Sequence, residues 1–377
     1  MTLNQEILNY IDTHRQEAFD LLVELARIPA PSGQEEKRAA FCLEWLRRQG
    51  AEDAYVDEAL NVICPISCEE NRDLVVYMAH SDVVFPDTEP LPLKIEDGKI
   101  FCPGIGDDSA NVAALLMTAK YILETGIRPR GCGLLLVVNS CEEGLGNLKG
   151  SRKIMETFGS RIREFISLDG QQLAGVNRAV GSKRYRIEID TEGGHSYGAF
   201  GNRNAIAYLA SLIDSLYTVK VPEIGKTTYN VGTVSGGTSV NTIAQHAEML
   251  YEFRSDERDA LVIMEQHLEA AVNYYRTKGV KVTVNLVGDR PCGAPIDENR
   301  MRKLMDRASE AAMRRYGHPL SYGPGSTDCN VPLSMGVPAI CVGCYVGKGA
   351  HTREEHVEIS SLYSGIQFAF DLILSHF

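Results

Sequence analysis

The stretch that decides the fold is Val137-Val138-Asn139-Ser140-Cys141-Glu142-Glu143-Gly144-Leu145-Gly146. The apolar run from Leu134 to Val138 predicts a buried strand. This strand ends in two adjacent glutamates, whose carboxylates repel each other unless a cation lies nearby. In open α/β sheets, ligands bind at the carboxyl ends of the strands. The stretch therefore indicates an α/β sheet with a ligand site at this strand end, although an isolated Glu-Glu pair is also typical of a solvated loop.

Other predicted strands also end in residue types that bind metals. Strands are predicted over 73–78 and 165–168, and a helix rich in alanine and leucine is predicted from Ala110 to about Thr125. The clusters at the ends of these elements, and after a glycine-rich stretch near the C-terminus, are His80 with Asp82, Asp107 with Asp108, Asp169, and His351. Alternation of strands and helices indicates a mostly parallel sheet flanked by helices on both faces.

The five clusters share one donor chemistry, imidazole nitrogen and carboxylate oxygen, which suits zinc, cobalt or manganese. His80 and Asp82 lie two residues apart on a predicted strand end, so their side chains share a face. We expect Asp82 to accept the second ring N–H of His80 and so to fix the tautomer of that histidine. Sequence alone leaves open which of Asp107 and Asp108 binds metal.

The pattern of the chain changes after about residue 180. Alternating apolar and polar strands are interrupted by two helices, 204–217 and 258–278, in the order β-α-β-β-α-β. This order predicts an inserted α+β domain of ferredoxin-like type with an antiparallel sheet. We expect a catalytic domain formed by residues 1–180 and 292–377, with the inserted domain over residues 181–291.

The N-terminal region predicts two helices. Apolar residues at helical spacing indicate a first helix over residues 4–27, which Pro29 ends. Ser32-Gly33-Gln34-Glu35 has the form of a capping box, which predicts a second helix to about Gln49.

Composition excludes several classes of function. The 377 residues are 44% hydrophobic and carry a net charge of -12. No Lys/Arg-rich tract stands out in the sequence, which argues against nucleic acid or an anionic membrane as a partner. No apolar run approaches the roughly 18–20 residues of a membrane helix, and no secretory signal is recognisable, so we expect a cytoplasmic protein. The ten cysteines are expected to be reduced thiols, with Cys341 and Cys344 packed on a strand and Cys141 in a packing role.

The glycines around Ile105 also resemble a phosphate-binding loop, but the alternative is weak. Gly104-Ile105-Gly106 lacks the third glycine of a dinucleotide-binding fingerprint and the Gly-Lys-Ser/Thr of a P-loop. We therefore expect no nucleotide at this loop.

Taken together, the motifs resemble those of the M20 family of dinuclear zinc metallohydrolases, which includes aminotripeptidase, glutamate carboxypeptidase, dipeptidase, acetylornithine deacetylase and aminoacylase. The resemblance covers nearly the whole chain, and the motifs occur in the expected order. They are His80-Ser-Asp-Val-Val, Gly104-Ile-Gly-Asp-Asp-Ser, Ser140-Cys-Glu-Glu-Gly, Leu168-Asp-Gly, Gly193-Gly-His-Ser, Gly325-Ser-Thr-Asp-Cys-Asn-Val-Pro and Ala350-His-Thr-Arg-Glu-Glu.

The resemblance implies a role for each matching residue. Asp107 would bridge two metal ions, most simply Zn²⁺ with Co²⁺ or Mn²⁺ as alternatives. His80 and Asp169 would complete one metal site, and Glu143 with His351 the other. Glu142 would be the general base, with Asp82 beside His80. The inserted domain would be a lid and dimerisation domain, and its His195, Asn241 and Arg254 would bind substrate, with His195 reaching the active site of the partner in a homodimer.

One departure concerns the residue after the aspartate pair. Many relatives have Lys-Gly there, whereas this chain has Ser109-Ala110-Asn111. Ser109 and Gly325-Ser-Thr-Asp look more like the tripeptidase-like branch. The resemblance thus favours a metal-dependent exopeptidase of di- or tripeptides. An N-acyl-amino-acid amidohydrolase is the alternative, and a non-catalytic binding protein on the same fold is a remote one.

Overall fold

The computed structural model describes residues 3–377, which form two compact units. The first unit comprises the chain up to Ala179 and from Ala294 to Phe377, and the second comprises Val180–Gly293. Within the described residues, no helix is both long enough and apolar enough to cross a membrane.

The described residues of the first unit form eight α-helices and twelve strands. Its helices are α1 Gln5–Thr13, α2 Arg15–Arg27, α3 Glu36–Arg48, α4 Asn111–Thr125, α5 Lys149–Phe158, and then α8 Glu298–Tyr316, α9 Asn330–Ser334 and α10 Ile359–Ile373, since α6 and α7 belong to the second unit. Its strands are β1 Tyr55–Val56, β2 Val62–Ile66, β3 Leu74–His80, β4 Lys94–Glu96, β5 Lys99–Phe101, β6 Gly133–Asn139, β7 Ile162–Leu168, β8 Ala174–Ala179, β15 Ser321–Gly325, β16 Ala339–Val342, β17 Gly347–Lys348 and β18 His356–Glu358.

The central sheet of this unit has eight strands in the order β1-β2-β6-β3-β7-β16-β8-β15. Strand β3 pairs in parallel with both β6 and β7, and β7 pairs in parallel with β16. Strand β2 is antiparallel to β6, and β16 is antiparallel to β8. The predicted mixed, mostly parallel sheet flanked by helices is confirmed.

Strand β3 shows why the sheet needs helices on both faces. Every residue of β3 is buried, and its side chains alternate between two hydrophobic cores. Val75, Tyr77 and Ala79 pack into the core on one face, while Val76 and Met78 pack into the core on the other face. This alternation follows from the two-residue period of a strand.

The second unit is a four-stranded antiparallel sheet with two helices. Its elements are β9 Gly181–Asp190, β10 Gly194–His195, α6 Ala205–Leu216, β11 Thr227–Gly236, β12 Thr242–Ile243, β13 His246–Ser255, α7 Arg258–Thr277 and β14 Lys281–Arg290. The sheet order is β11-β13-β9-β14, and alternate residues of β13 are buried in a core shared with both helices. The order of elements is the predicted β-α-β-β-α-β, and the sheet order is that of a ferredoxin-like fold. The roles of this unit as lid and dimerisation domain stay predictions.

Two predictions about the N-terminal region are wrong in detail. The helix expected over residues 4–27 is divided at His14, which lies between α1 and α2 with non-helical dihedral angles. The capping box expected at Ser32 and Glu35 does not form, because neither side chain caps α3. Ser32 donates instead to Asp82, and Glu35 accepts the amide of Cys141.

Candidate metal centre

Adjacent parallel strands bring the predicted metal-binding residues to one edge of the sheet. Strand β3 lies between β6 and β7, and His80 at its end pairs with Asn139 at the end of β6. Glu142 and Glu143 follow β6, and Asp169 follows β7. The carboxyl ends of parallel neighbours meet at one edge, so the three strand ends place their polar residues side by side.

The predicted ligands fall into two overlapping groups. Donor atoms of His80, Asp107, Asp108 and Asp169 all lie within 4.8 Å of one another, and so do those of Asp107, Glu143 and His351. Asp107 belongs to both groups. The structure thus brings all five predicted ligands together, and their role as ligands stays a prediction.

Asp107 lies between two histidine rings. Its Oδ1 is 3.0 Å from His80 Nε2, and its Oδ2 is 3.2 Å from His351 Nε2. The same His351 nitrogen is 2.9 Å from Glu143 Oε1. Burial acts to raise the pKa of Asp107, but hydrogen bonds from His351 and His80 outweigh it and hold that pKa well below its usual value. Hydrogen bonding to Asp107 and Glu143 raises the pKa of His351 to about 10.

Asp108 points to a different set of partners. It is fully buried, its Oδ2 accepts the backbone N–H of His80 at 2.9 Å, and its Oδ1 accepts Asn111 Nδ2. The peptide bond between Asp107 and Asp108 is cis. Because Asp107 faces both histidines and Asp108 is held by hydrogen bonds inside the unit, the geometry favours Asp107 as the shared ligand.

The donor set fits divalent cations. Burial raises the pKa of Asp169 to about 7, and the carboxylates of Asp107 and Glu143 add to that rise while His80 opposes it. Such a cluster of buried carboxylates is electrostatically costly without a positive charge among them. His80 Nδ1 lies 3.1 Å from the backbone oxygen of Asp82, which can only accept. A neutral His80 would therefore carry its proton on Nδ1, which leaves Nε2, on the side of Asp107, as the nitrogen that could bind a metal ion.

The Asp82 carboxylate does not make the hydrogen bond to His80 that the sequence predicted, because the backbone oxygen of Asp82 takes that place. Its Oδ1 is 3.5 Å from His80 Nδ1, which is longer than the contact of that nitrogen with the Asp82 backbone oxygen. The Asp82 carboxylate instead accepts the backbone N–H of Glu142 on Oδ1 and that of Glu143 on Oδ2, each at 2.9 Å. Burial acts to raise the pKa of Asp82, but the nearby His80 ring, the Ser32 hydroxyl and the Glu143 amide together hold that pKa below its usual value. Asp82 therefore fixes the backbone that carries both glutamates.

Glu142 lies beside the predicted ligands. It is 5% exposed, and a carboxylate oxygen of Glu142 groups with donor atoms of His80 and Glu143 within 4.8 Å. The Glu142 carboxylate therefore lies close to the two groups of predicted ligands. Its role as general base stays a prediction.

Sequence reasoning missed three polar residues that support the centre: Ser32, Glu35 and Glu355. Glu355 is 2% exposed, and its carboxylate accepts three backbone N–H groups, from Gly104 at 2.7 Å, Gly106 at 2.9 Å and Asp107 at 2.8 Å. Burial raises the pKa of Glu355 to about 7. In the sequence, Glu355 is part of the motif that begins at Ala350, but no signal in one sequence distinguishes this buried glutamate from its exposed neighbour Glu354.

The predicted substrate-binding residues lie in the second unit. His195 is exposed and its Nδ1 accepts the backbone N–H of Tyr197 and Gly198, both at 3.3 Å. Asn241 is also exposed, and its backbone oxygen accepts the N–H of Ser196. The structure thus brings His195 and Asn241 close together. Arg254 is half-buried and donates two hydrogen bonds to Glu252, both at 3.1 Å. Binding of substrate by these residues stays a prediction.

Comparison with known proteins decides the family. The model of peptidase family M20/M25/M40 matches residues 76–375. This chain belongs to the M20/M25/M40 family. Membership makes the protein an enzyme, a metallohydrolase, so the family and the enzyme class predicted from sequence are confirmed and the non-catalytic alternative is set aside.

Relatives of this M20 protein include enzymes of different substrate classes. The chain is 26% identical over 318 residues to succinyl-diaminopimelate desuccinylase of Alkalilimnicola ehrlichii, covering 77% of this chain and 82% of the relative. It is 24% identical over 351 residues to acetylornithine deacetylase of Myxococcus xanthus, covering 86% of this chain and 85% of the relative. The crystal structure of a tripeptidase from Staphylococcus aureus superposes with a TM-score of 0.76 at 21% identity, covering 95% of this chain and 97% of the other. This likeness confirms the M20 fold.

Proposed function

We propose that this M20-family protein hydrolyses an amide bond of short peptides as a di- or tripeptidase with two metal ions. The observation that carries the proposal is the position of Asp107, whose two oxygens lie 3.0 Å and 3.2 Å from histidines of different ligand groups. A carboxylate that belongs to two ligand groups suits a pair of cations, and Asp107 would help to hold both.

Two sets of residues would hold the metal ions. His80 and Asp169 with Asp107 would bind one ion, and Glu143 and His351 with Asp107 the other. Nitrogen and carboxylate ligands without thiolate suit Zn²⁺, with Co²⁺ or Mn²⁺ as alternatives. Such a pair, when bound, supplies a water of pKa lowered from ~15.7 toward ~7 and polarises the scissile carbonyl.

Glu142 is the residue that we propose to move the proton. A carboxylate oxygen of Glu142 accepts the proton of the attacking water and returns it to the amide nitrogen as the C–N bond breaks. Asp82 holds the Glu142 and Glu143 amides in place, so the base and the neighbouring ligand keep a fixed relation during the reaction. These hydrogen bonds fix the backbone at Glu142 and at Glu143, and we propose that the fixed backbone keeps the two side chains in their separate roles.

The choice of a peptide substrate rests on two tripeptidase-like features, Ser109 and the Gly325–Asp328 stretch. Ser109 is fully buried and its Oγ donates to the backbone oxygen of Gly104, so it braces the loop that carries Asp107. The alternative substrate class, N-acyl amino acids, is favoured by the desuccinylase and deacetylase relatives. Both classes present a carbonyl for attack and a carboxylate for recognition.

We further propose that His195, Asn241 and Arg254 contact the substrate, with Arg254 pairing with a substrate carboxylate. The exposure of His195 and Asn241 supports this role, since neither side chain is buried in the second unit. A homodimer in which His195 serves the partner's active site is part of the same proposal, and light scattering coupled to size exclusion would test it.

Substrates matched in side chain test the function. Trialanine, dialanine, N-acetylalanine and N-succinylalanine are assayed with Zn²⁺, Co²⁺ and Mn²⁺ in turn. We expect kcat/KM to be highest for a peptide with a free amine, and trialanine at least about tenfold above N-acetylalanine, since a group that pairs with the charged amine contributes on the order of 1.4 kcal/mol or more. Faster cleavage of either N-acyl substrate would instead assign the enzyme to the amidohydrolases.

A further inference from the structure

The segment of residues 30–38 lies against the metal centre although it precedes the part of the chain matched by the family model. That match begins at residue 76. Val83 donates its backbone N–H to Ala30 at 2.9 Å, and Pro31 forms a parallel bridge with Val83. This places Ser32 and Glu35 next to the loop that follows His80.

Glu35 is buried and is used by a neighbouring loop. It is 0% exposed, and its Oε1 accepts the backbone N–H of Gly33 at 2.8 Å and that of Cys141 at 3.0 Å. The Cys141 thiol lies 3.3 Å from the same oxygen. Glu35 Oε2 is buried and has no hydrogen-bond partner among residues 3–377. The Glu35 side chain therefore holds the backbone of Cys141, the residue immediately before Glu142.

Ser32 acts on the same loop through Asp82. Its Oγ donates to Asp82 Oδ2 at 2.6 Å, and the two oxygens of Asp82 accept the amides of Glu142 and Glu143. The amides of three successive residues, 141 to 143, thus all donate to carboxylates that the 30–35 segment supplies or holds.

The Cys141–Glu143 loop needs such support. Cys141 has a φ of 56°, in the left-handed region that non-glycine residues rarely adopt. Two adjacent glutamates also repel each other. A buried amide without an acceptor is costly, so a buried side-chain oxygen that accepts the Cys141 amide can hold this backbone against both costs.

We propose that Glu35 is a positioning residue that fixes the Cys141–Glu143 backbone and thereby aims the Glu142 carboxylate at the reacting water. Ser32 holds the other side of the same loop through Asp82. The inference rests on the proposed role of Glu142. It adds that residues 30–35 contribute to catalysis by positioning the Cys141–Glu143 loop, without contacting the substrate.

The test compares Glu35→Ala and Glu35→Gln with Glu36→Ala, a control at the exposed neighbouring position. Each metal-loaded enzyme is assayed for kcat and KM and for amide hydrogen–deuterium exchange in residues 139–147, with residues 104–111 as an internal reference. For Glu35→Ala we expect kcat to fall about 10–100-fold with KM changed less than about threefold. Exchange should accelerate in residues 141–143 and stay unchanged in residues 104–111.

Glu35→Gln keeps an oxygen that can accept the Cys141 amide, so we expect it to restore kcat to within about fivefold of wild type. Glu36→Ala should match wild type throughout. The proposal is overturned if Glu35→Ala exchanges at residues 141–143 as wild type does, or if Glu35→Gln is as impaired as Glu35→Ala. Exchange is measured without substrate, so a wrong assignment of the base would leave this readout intact.

A second variant covers the case in which Glu35→Ala does not fold. Ser32→Ala removes one hydrogen bond to Asp82, and we expect faster exchange at Glu142 and Glu143 with kcat lowered about 2–10-fold. Wild-type exchange at both amides in Ser32→Ala would overturn the proposal.

Discussion

Two loops contribute residues to the candidate metal centre, and they are held in different ways. In the Gly104–Asp107 loop, three amides donate to one buried carboxylate, Glu355. In the Cys141–Glu143 loop, three successive amides donate to two carboxylates, Glu35 and Asp82. The first loop presents one residue, Asp107, whereas the second presents two side chains with different proposed roles. The loop that carries both a proposed ligand and the proposed base thus has its backbone held at each of three successive residues.

Removal of Asp107 should give the largest effect. Asp107→Ala takes away the carboxylate common to both ligand groups. We expect both metal ions to be lost and turnover to fall by more than about 10³-fold, since metal ions supply several kcal/mol of transition-state stabilisation. Elemental analysis after dialysis, together with kcat, checks this. Two ions retained per chain would show that the two groups do not share this ligand.

Burial of Glu355, which raises its pKa although the three loop amides act to lower it, should appear as a pH dependence of stability in the chelator-treated protein. Folding raises the pKa of Glu355 from 4.5 to about 7. The native state then holds this proton more tightly than the unfolded chain does. The contribution of Glu355 to the free energy of unfolding is therefore complete below about pH 4.5 and is lost as the pH rises to about 7. We expect this group to contribute up to about 3 kcal/mol across that range.

Chemical denaturation at several pH values measures this contribution. Glu355→Gln cannot titrate and should flatten the fall in the free energy of unfolding between about pH 4.5 and 7. An unchanged slope in that variant would assign the pH dependence to other groups, of which Asp169 is the first candidate because its pKa is also raised to about 7.

A smaller effect is expected on metal affinity when Glu355 is truncated. Glu355→Ala leaves the ligands in place but frees three amides of the Gly104–Asp107 loop. We expect metal affinity to fall about 10–100-fold, as is typical when an outer partner of a ligand is lost. Chelator competition measures this, and Glu354→Ala, at the exposed adjacent position, is the matched control. Equal affinities in the two variants would mean that the loop holds its shape without Glu355.

The sequence predicted the parts of this centre that depend on local pattern. Strands β3, β6 and β7 are apolar runs that end at or just before His80, Glu142 and Asp169, so both the strands and the polar residues after them were recognisable. Strands β8 and β15 were missed because Ala174–Ala179 and Ser321–Gly325 lack apolar runs, and their pairing depends on tertiary context. The short strands β1 and β2 at the other edge were missed as well.

Support of the loops could not be predicted for a different reason. Ser32 and Glu35 have the spacing of a capping box, which predicts that they cap the next helix. In the folded chain, Ser32 hydrogen-bonds to Asp82 and Glu35 to Cys141 instead. Glu35 and Cys141 are 106 positions apart in sequence, so only the folded chain reveals their contact. The same applies to Glu355, whose partners lie about 250 positions away.

Metal content and kcat, measured side by side in Glu142→Gln and Glu143→Gln, test the proposed roles of the two glutamates most directly. We expect Glu142→Gln to keep both metal ions and to lose about 10²–10⁴-fold in kcat, the amount that general base catalysis typically supplies. Glu143→Gln should lose metal ion together with activity. Near-wild-type turnover in Glu142→Gln, or full metal occupancy in Glu143→Gln, would contradict the proposed division of roles between the two glutamates.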